Sequence, residues 1–173
     1  MLFRVQNATV ATTAAPVKQP TGAAVRTMLQ VLNANTPIVV VEWGISFDGS
    51  AAGTPIECEL IHTTTVAATM STALVANDVV CLNGESPANV TAGGLTLTTA
   101  GTAFATAAVT EGSVAAPVRG GDYQLVAPSN QYLKQFPLGQ GFYVPAAGVL
   151  RVRVTAAVSV NCYCYVTFGL GGD

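Results

Sequence analysis

Alternation of apolar and polar positions runs through most of the chain and predicts strands. Ile38–Phe47 (IVVVEWGISF) is β-branched and aromatic, with the continuous apolar start of a buried strand. Over Ile56–Thr65 (IECELIHTTT), Ile56, Cys58, Leu60 and His62 point one way and Glu57, Glu59 and Ile61 the other. Val149–Val160 (VLRVRVTAAVSV) sets Leu150, Val152 and Val154 on one face against Val149, Arg151 and Arg153. Asn161–Phe168 follows, with Cys162, Cys164, Val166 and Phe168 opposite Tyr163, Tyr165 and Thr167. Ala24–Leu32 fits strand or helix. Strand is favoured, because Val25, Thr27, Leu29 and Val31 alternate with Arg26, Met28 and Gln30.

Turn residues separate these runs: Asp48-Gly49 with Gly53 and Pro55, Asn83-Gly84, Ser86-Pro87, Gly93-Gly94, Gly120-Gly121, Pro128, Pro137, Gly139, Gly141 and Pro145 with Gly148. Many short strands between such turns predict an all-β sandwich or barrel. Met70–Val80 is the one helical candidate, and its β-branched residues and Asn77-Asp78 allow only a short helix or turn. Residues 1–22 differ. Ala8–Pro20 is rich in Ala and Thr, contains Pro16 and Pro20, and holds too little apolar bulk to pack by itself. It reads either as a floppy terminus or as an extended arm that orders on a neighbouring subunit.

Composition adds a constraint that periodicity misses. Of 173 residues only 9% are charged, against about 25% in an average soluble domain. Seven basic and nine acidic residues leave a net charge of -2, without the basic footprint of a nucleic-acid binder. The apolar runs are too short for a membrane helix, and MLFRVQNATV lacks the pattern of a signal peptide. So little charge is hard to reconcile with a fully solvated surface, which predicts that part of it is covered by other copies or by a larger assembly.

Candidate chemistry is sparse. Cys162 and Cys164 share one strand face about 6.5–7 Å apart, poor geometry for a disulfide. With Cys58, Cys81 and a single histidine elsewhere, no metal-ligand spacing emerges, and buried free thiols are expected. His62 has no nucleophile motif around it, and no phosphate-binding loop or calcium loop occurs. The reading is a non-enzyme with no catalytic residue, no cofactor and no metal. The acceptor patterns at Asn7 and Asn89 are taken as chance matches. Arg151 and Arg153 lie on one face, either solvated or meeting acids such as Glu57 and Glu59 across strands or subunits. The last strand is uncharged on both faces. It is either central in a sandwich with its second face covered, or packed by Tyr163 and Tyr165 on a symmetry mate.

Three segments carry a resemblance in combination: FRVQNATVATTAAPVKQPTG, VVEWGISFDGSAAGTPIECELIHTTT, and QLVAPSNQYLKQFPLGQGFYVPAAGVLRVRVTAAVSVNCYCYVTF. Together they resemble small virion structural proteins of tailed bacteriophages, especially those of actinobacteria; the likeness is weakest over 67–116. It implies a decoration protein on the head surface, made in the bacterial cytoplasm and bound as a trimer. The order of the C-terminal segment is also similar to trimeric jelly rolls of the tumour-necrosis-factor type.

The combined expectation is an arm over residues 1–22 and a jelly-roll-like β-sandwich over 23–173. Phe3, Arg4, Val5, Val10, Val17 and Lys18 would contact the major capsid protein, and Tyr163 and Tyr165 would lie at a homotrimer interface. No nucleic-acid or membrane partner is expected. The alternative is a receptor- or carbohydrate-binding module of a tail or head fibre, for which Phe136, Phe142 and Tyr143 are the candidate aromatics.

Overall fold

The computed structural model describes residues 1–9, 13–84, 94–112 and 118–171. Val10, Ser86-Pro87, Asn89 and Gly93 lie outside the described residues. The first half holds β1 (Leu2–Gln6), β2 (Gln19–Pro20), β3 (Val25–Leu32), β4 (Ile38–Phe47) and β5 (Ile56–His62). Next come β6 (Thr72–Ala73), a 3-10 turn at Ala76–Asp78, β7 (Val80–Cys81) and β8 (Ala103–Phe104). The chain ends with β9 (Val118–Val126), β10 (Gln131–Gln135), β11 (Phe142–Val144), β12 (Val149–Thr155) and β13 (Asn161–Leu170).

These strands form two antiparallel sheets, a β-sandwich. The seven-stranded sheet runs β10-β4-β13-β1-β7, with β11 also on β4 and β2 also on β13. The six-stranded sheet runs β6-β8-β3-β12-β5-β9. The inner faces follow the alternation. Ile56, Cys58 and Leu60 from β5, Leu150, Val152 and Val154 from β12, and Cys162, Cys164, Val166 and Phe168 from β13 share one core. Trp43 is its largest fully buried side chain among the described residues, and the Phe3 and Phe168 rings meet at 5.9 Å. The β12 strand stops at Thr155, whereas the alternation continues to Val160. Residues 156–160 are spent crossing from one sheet to the other.

The N-terminus is corrected by the structure. Residues 2–6 are not a free arm but β1, paired with β13 from Leu2↔Gly169 to Gln6↔Tyr165. Phe3 and Val5 are wholly buried in the core, so neither is free to contact a partner. The short alternation Phe3/Val5 against Leu2/Arg4/Gln6 supplies the apolar face that the Ala/Thr-rich stretch after it lacks. Asn7 clamps the pairing: its backbone N–H reaches Cys164 O at 3.0 Å, and its Oδ1 accepts the Cys164 N–H at 2.7 Å. The segment returns along β13, where Gln19 pairs with Cys162 and Pro20 with Asn161. Among the described residues between these two pairings, Thr9 and Val17 bridge each other, and Val17 is exposed. The sandwich therefore begins at residue 2 rather than 23.

One edge of the sandwich is closed by Asp122 of β9. Its nearly buried carboxylate accepts from Tyr132 OH at 2.8 Å and from Trp43 Nε1 at 3.3 Å, and pairs with Lys134 at 3.5 Å. This one side chain ties the end strand of the six-stranded sheet to β4 and β10 of the other.

Candidate functional site

The outer face of the seven-stranded sheet is the candidate interaction surface. Its centre is β13, flanked by β4 and β1, so alternate residues of three adjacent strands face outward together. Tyr163 and Tyr165 sit there half-buried, with ring centroids 6.4 Å apart. The Tyr165 ring lies on Gly44, where a Cβ would come within 2.6 Å of it; only glycine lets the ring lie that close to β4. Arg4 stacks on the same ring at 4.5 Å and pairs with Glu42 at 3.0 Å.

Both tyrosine hydroxyls find partners within the chain. Tyr163 OH donates to Gln6 Oε1 at 2.5 Å and Tyr165 OH donates to Glu42 Oε1 at 2.8 Å. Burial, reinforced by the Glu42 carboxylate, pushes the Tyr165 pKa up to about 12. Each ring thus offers a flat apolar surface with its polar end already engaged. Of the other residues proposed to contact a capsid, Arg4 belongs to this face, and Lys18 forms an ion pair with Asp48 at one end of the sandwich.

Beside the tyrosines the face is apolar. A groove of about 620 Å3 is lined by Leu2, Val39, Val41, Phe136, Pro137 and Leu138, among others. Leu138 is fully exposed and Leu133 largely so. Phe136 and Phe142 stack with centroids 6.4 Å apart and pack on the core, while Tyr143 is exposed. Two of the three candidate aromatics therefore form one cluster, and that cluster helps build the core.

The outer face of the six-stranded sheet is finished differently. Arg153 meets Glu59 at 2.6 Å, the cross-strand pair foreseen as one alternative, whereas Arg151 reaches Glu111 at 3.3 Å instead of a strand acid. Arg151 is 0% exposed, and its guanidinium also donates to the Glu111 carbonyl at 2.9 Å and to the Val66 carbonyl. Thr27 Oγ1 donates to Glu111 Oε2 at 2.7 Å. Gln30 accepts the Ala68 N–H at 2.8 Å and donates to the Gly101 carbonyl at 3.2 Å and the Ala100 carbonyl. Together these residues hold a layer of loops, around 66–70 and 100–111, over the sheet. Gln30, Glu111 and Asp122 carry no local signal in the sequence. Their roles depend on loops that are distant in the chain.

The titratable groups in the interior are shielded rather than activated. His62 is buried with Nε2 unpartnered, and burial lowers its pKa. Its neutral form is therefore favoured by folding, a contribution present above the ordinary histidine pKa and lost as pH falls through the folded one. The four cysteines are free thiols, and burial pushes Cys58 and Cys164 up, away from the reactive thiolate. Among the described residues no group of three or more His, Cys, Asp or Glu could hold a metal. Among them, too, no helix is long and apolar enough to cross a membrane. No family model, curated protein or solved structure matches the chain.

Proposed function

We propose that this chain is a structural protein of a bacteriophage virion, a decoration protein that binds the outer head surface as a trimer. On this reading the sandwich is jelly-roll-like and the partner is the major capsid protein. The observation that carries the reading is the outer face of the seven-stranded sheet. Apart from the Arg4–Glu42 pair its centre is uncharged, and Val39, Leu133, Leu138, Tyr163 and Tyr165 offer apolar area there. The resemblance of three segments to phage virion proteins supplies the kind of assembly.

The mechanism is burial of area. A standard interface of roughly 1,600 Å2 gains tens of kcal/mol gross at about 25 cal/mol per Å2, before association entropy offsets much of it. Repetition over many sites then strengthens the shell without any single strong contact. Contact belongs to the sheet face and not to Phe3 or Val5, which the core already holds.

The test is attachment to heads of the encoding phage that have been stripped of the protein. The paired change Leu133→Glu and Leu138→Glu alters two exposed side chains and should leave the sandwich folded. Loss of co-sedimentation with heads is the expected result. Light scattering of the purified protein should give a trimer. Unchanged attachment would sink the role of this face, and a stable monomer would sink the trimer.

A further inference from the structure

We propose that the groove at the end of β4 is a binding site for a neutral saccharide that presents neighbouring hydroxyls. This goes beyond the virion role and does not rest on it. The groove lies at the Asp48 end of β4, whereas the apolar groove lies at the Val39 end. Its volume is about 450 Å3, within the roughly 300–1,000 Å3 range of small-ligand pockets.

Three turns that are distant in sequence build it, and its polar lining offers both donors and acceptors. Asp48, Ser50, Thr54, Ser159 and Asn161 supply the polar groups. The Asp48 carboxylate accepts from Lys18 and from Asn161 Nδ2 at 3.3 Å, both on Oδ2. A carboxylate has about four lone-pair sites, so acceptor capacity remains. The bond from Asn161 Nδ2 orients that amide and leaves its Oδ1 as an acceptor. Ser159 Oγ accepts the Gly22 N–H at 3.2 Å and Ser50 Oγ accepts the Ala52 N–H at 3.3 Å, so each hydroxyl proton is left to donate.

A pair of neighbouring sugar hydroxyls demands this mixture, because each hydroxyl both donates and accepts. Asp48 is the charged residue of the lining and Lys18 pairs with it, so the two bring no net charge to hold a phosphate or a divalent cation. Pro128, Val158 and Val160 supply apolar lining for the C–H surface of a sugar ring, and Val158 stands 70% exposed without such cover. The base of the groove is firmly packed. A Cβ on Gly49 would come within 2.7 Å of Val160, and one on Gly53 within 2.9 Å of Pro128. A site that is already shaped before the ligand arrives loses little to ordering.

The experiment is a chemical-shift titration of the full chain with methyl α-D-mannopyranoside, methyl β-D-galactopyranoside and methyl α-D-glucopyranoside, with dextran as a polymeric arm. Saturable shifts are expected at the amides of Asp48, Ser50, Ser159 and Asn161. A response to the methyl glycosides assigns a single sugar unit, and a tighter response to dextran assigns a glycan chain. Asp48→Ala should weaken binding about tenfold or more, because a charge-assisted acceptor is lost. Val158→Glu changes an exposed side chain, should leave the unfolding temperature unaltered, and should abolish binding. No shift with any of the probes, shifts confined to another surface, or unchanged binding by a folded Val158→Glu variant would overturn the proposal.

Discussion

The outer face of the six-stranded sheet carries Thr27, Gln30, Glu59, Arg151 and Arg153; the chain covers it there and leaves Glu57, Tyr123 and Leu125 exposed on its β9 side. The outer face of the seven-stranded sheet carries Val39, Leu133, Tyr163 and Tyr165, and the chain leaves it half open. Polarity alone points to the reverse. The covered face is buried because its polar groups are directional: Gln30 matches loop carbonyls and an amide, and the two terminal nitrogens of Arg151 reach loop carbonyls and the Glu111 carboxylate, so the loops dock with most of these groups paired and Arg151 Nε left without a partner. The open face makes no such demand on its own chain. Its tyrosine hydroxyls and its one ion pair are satisfied within the sheet, which leaves apolar area for another surface.

The covered face is the one that single substitutions should break most severely. Arg151→Ala removes one partner of a buried ion pair and should cost about 3–5 kcal/mol, measured by urea unfolding. A cost below about 1 kcal/mol would mean that the loop layer is held some other way. Gln30→Ala strands the Ala68 amide and should cost about 1–3 kcal/mol, with faster hydrogen exchange at Ala68 as the local check.

The open face should respond to shape. Gly44→Ala forces the Tyr165 ring away from β4 and should cost about 1–3 kcal/mol, whereas Tyr165→Phe, which removes only a partly exposed hydroxyl bond, should cost less. Equal costs would show that the ring's position on Gly44 is unimportant. The smallest effect is alkaline. Tyr132 and Tyr165 are both pushed up to about 12, chiefly by burial and then by Asp122 and Glu42. Their raised values contribute stability that is full below the unfolded tyrosine pKa of about 10 and lost as pH rises towards 12. An ultraviolet titration should show these two rings ionising late, and Tyr165 should fall only part of the way back in a Glu42→Gln variant, because its burial remains.

Much of the sandwich was legible because strand alternation is local. Ile38–Phe47 matches β4 end to end, and the inward sets of β5, β12 and β13 are those that the alternation assigns. The arm was misread because five residues of alternation in β1 were masked by the low-bulk segment after them. The candidate face was legible only in part. Tyr163 and Tyr165 stand out as uncharged positions on an alternating strand, but that their hydroxyls reach Gln6 and Glu42 depends on which strands flank β13.

The sequence by itself determined the all-β class, most strand positions and the side of each strand that enters the core. Side-chain direction along a strand has a period of two and needs no distant information. Only the tertiary structure decided which outer face is covered, because the covering loops and the groups that hold them lie 38 to 85 residues from the strands they dock on. The scarcity of charge is a property of the whole chain, and its meaning depended on that placement. The chain buries the polar groups around Gln30 and Arg151 itself and leaves apolar area around Leu133 and Tyr165 open.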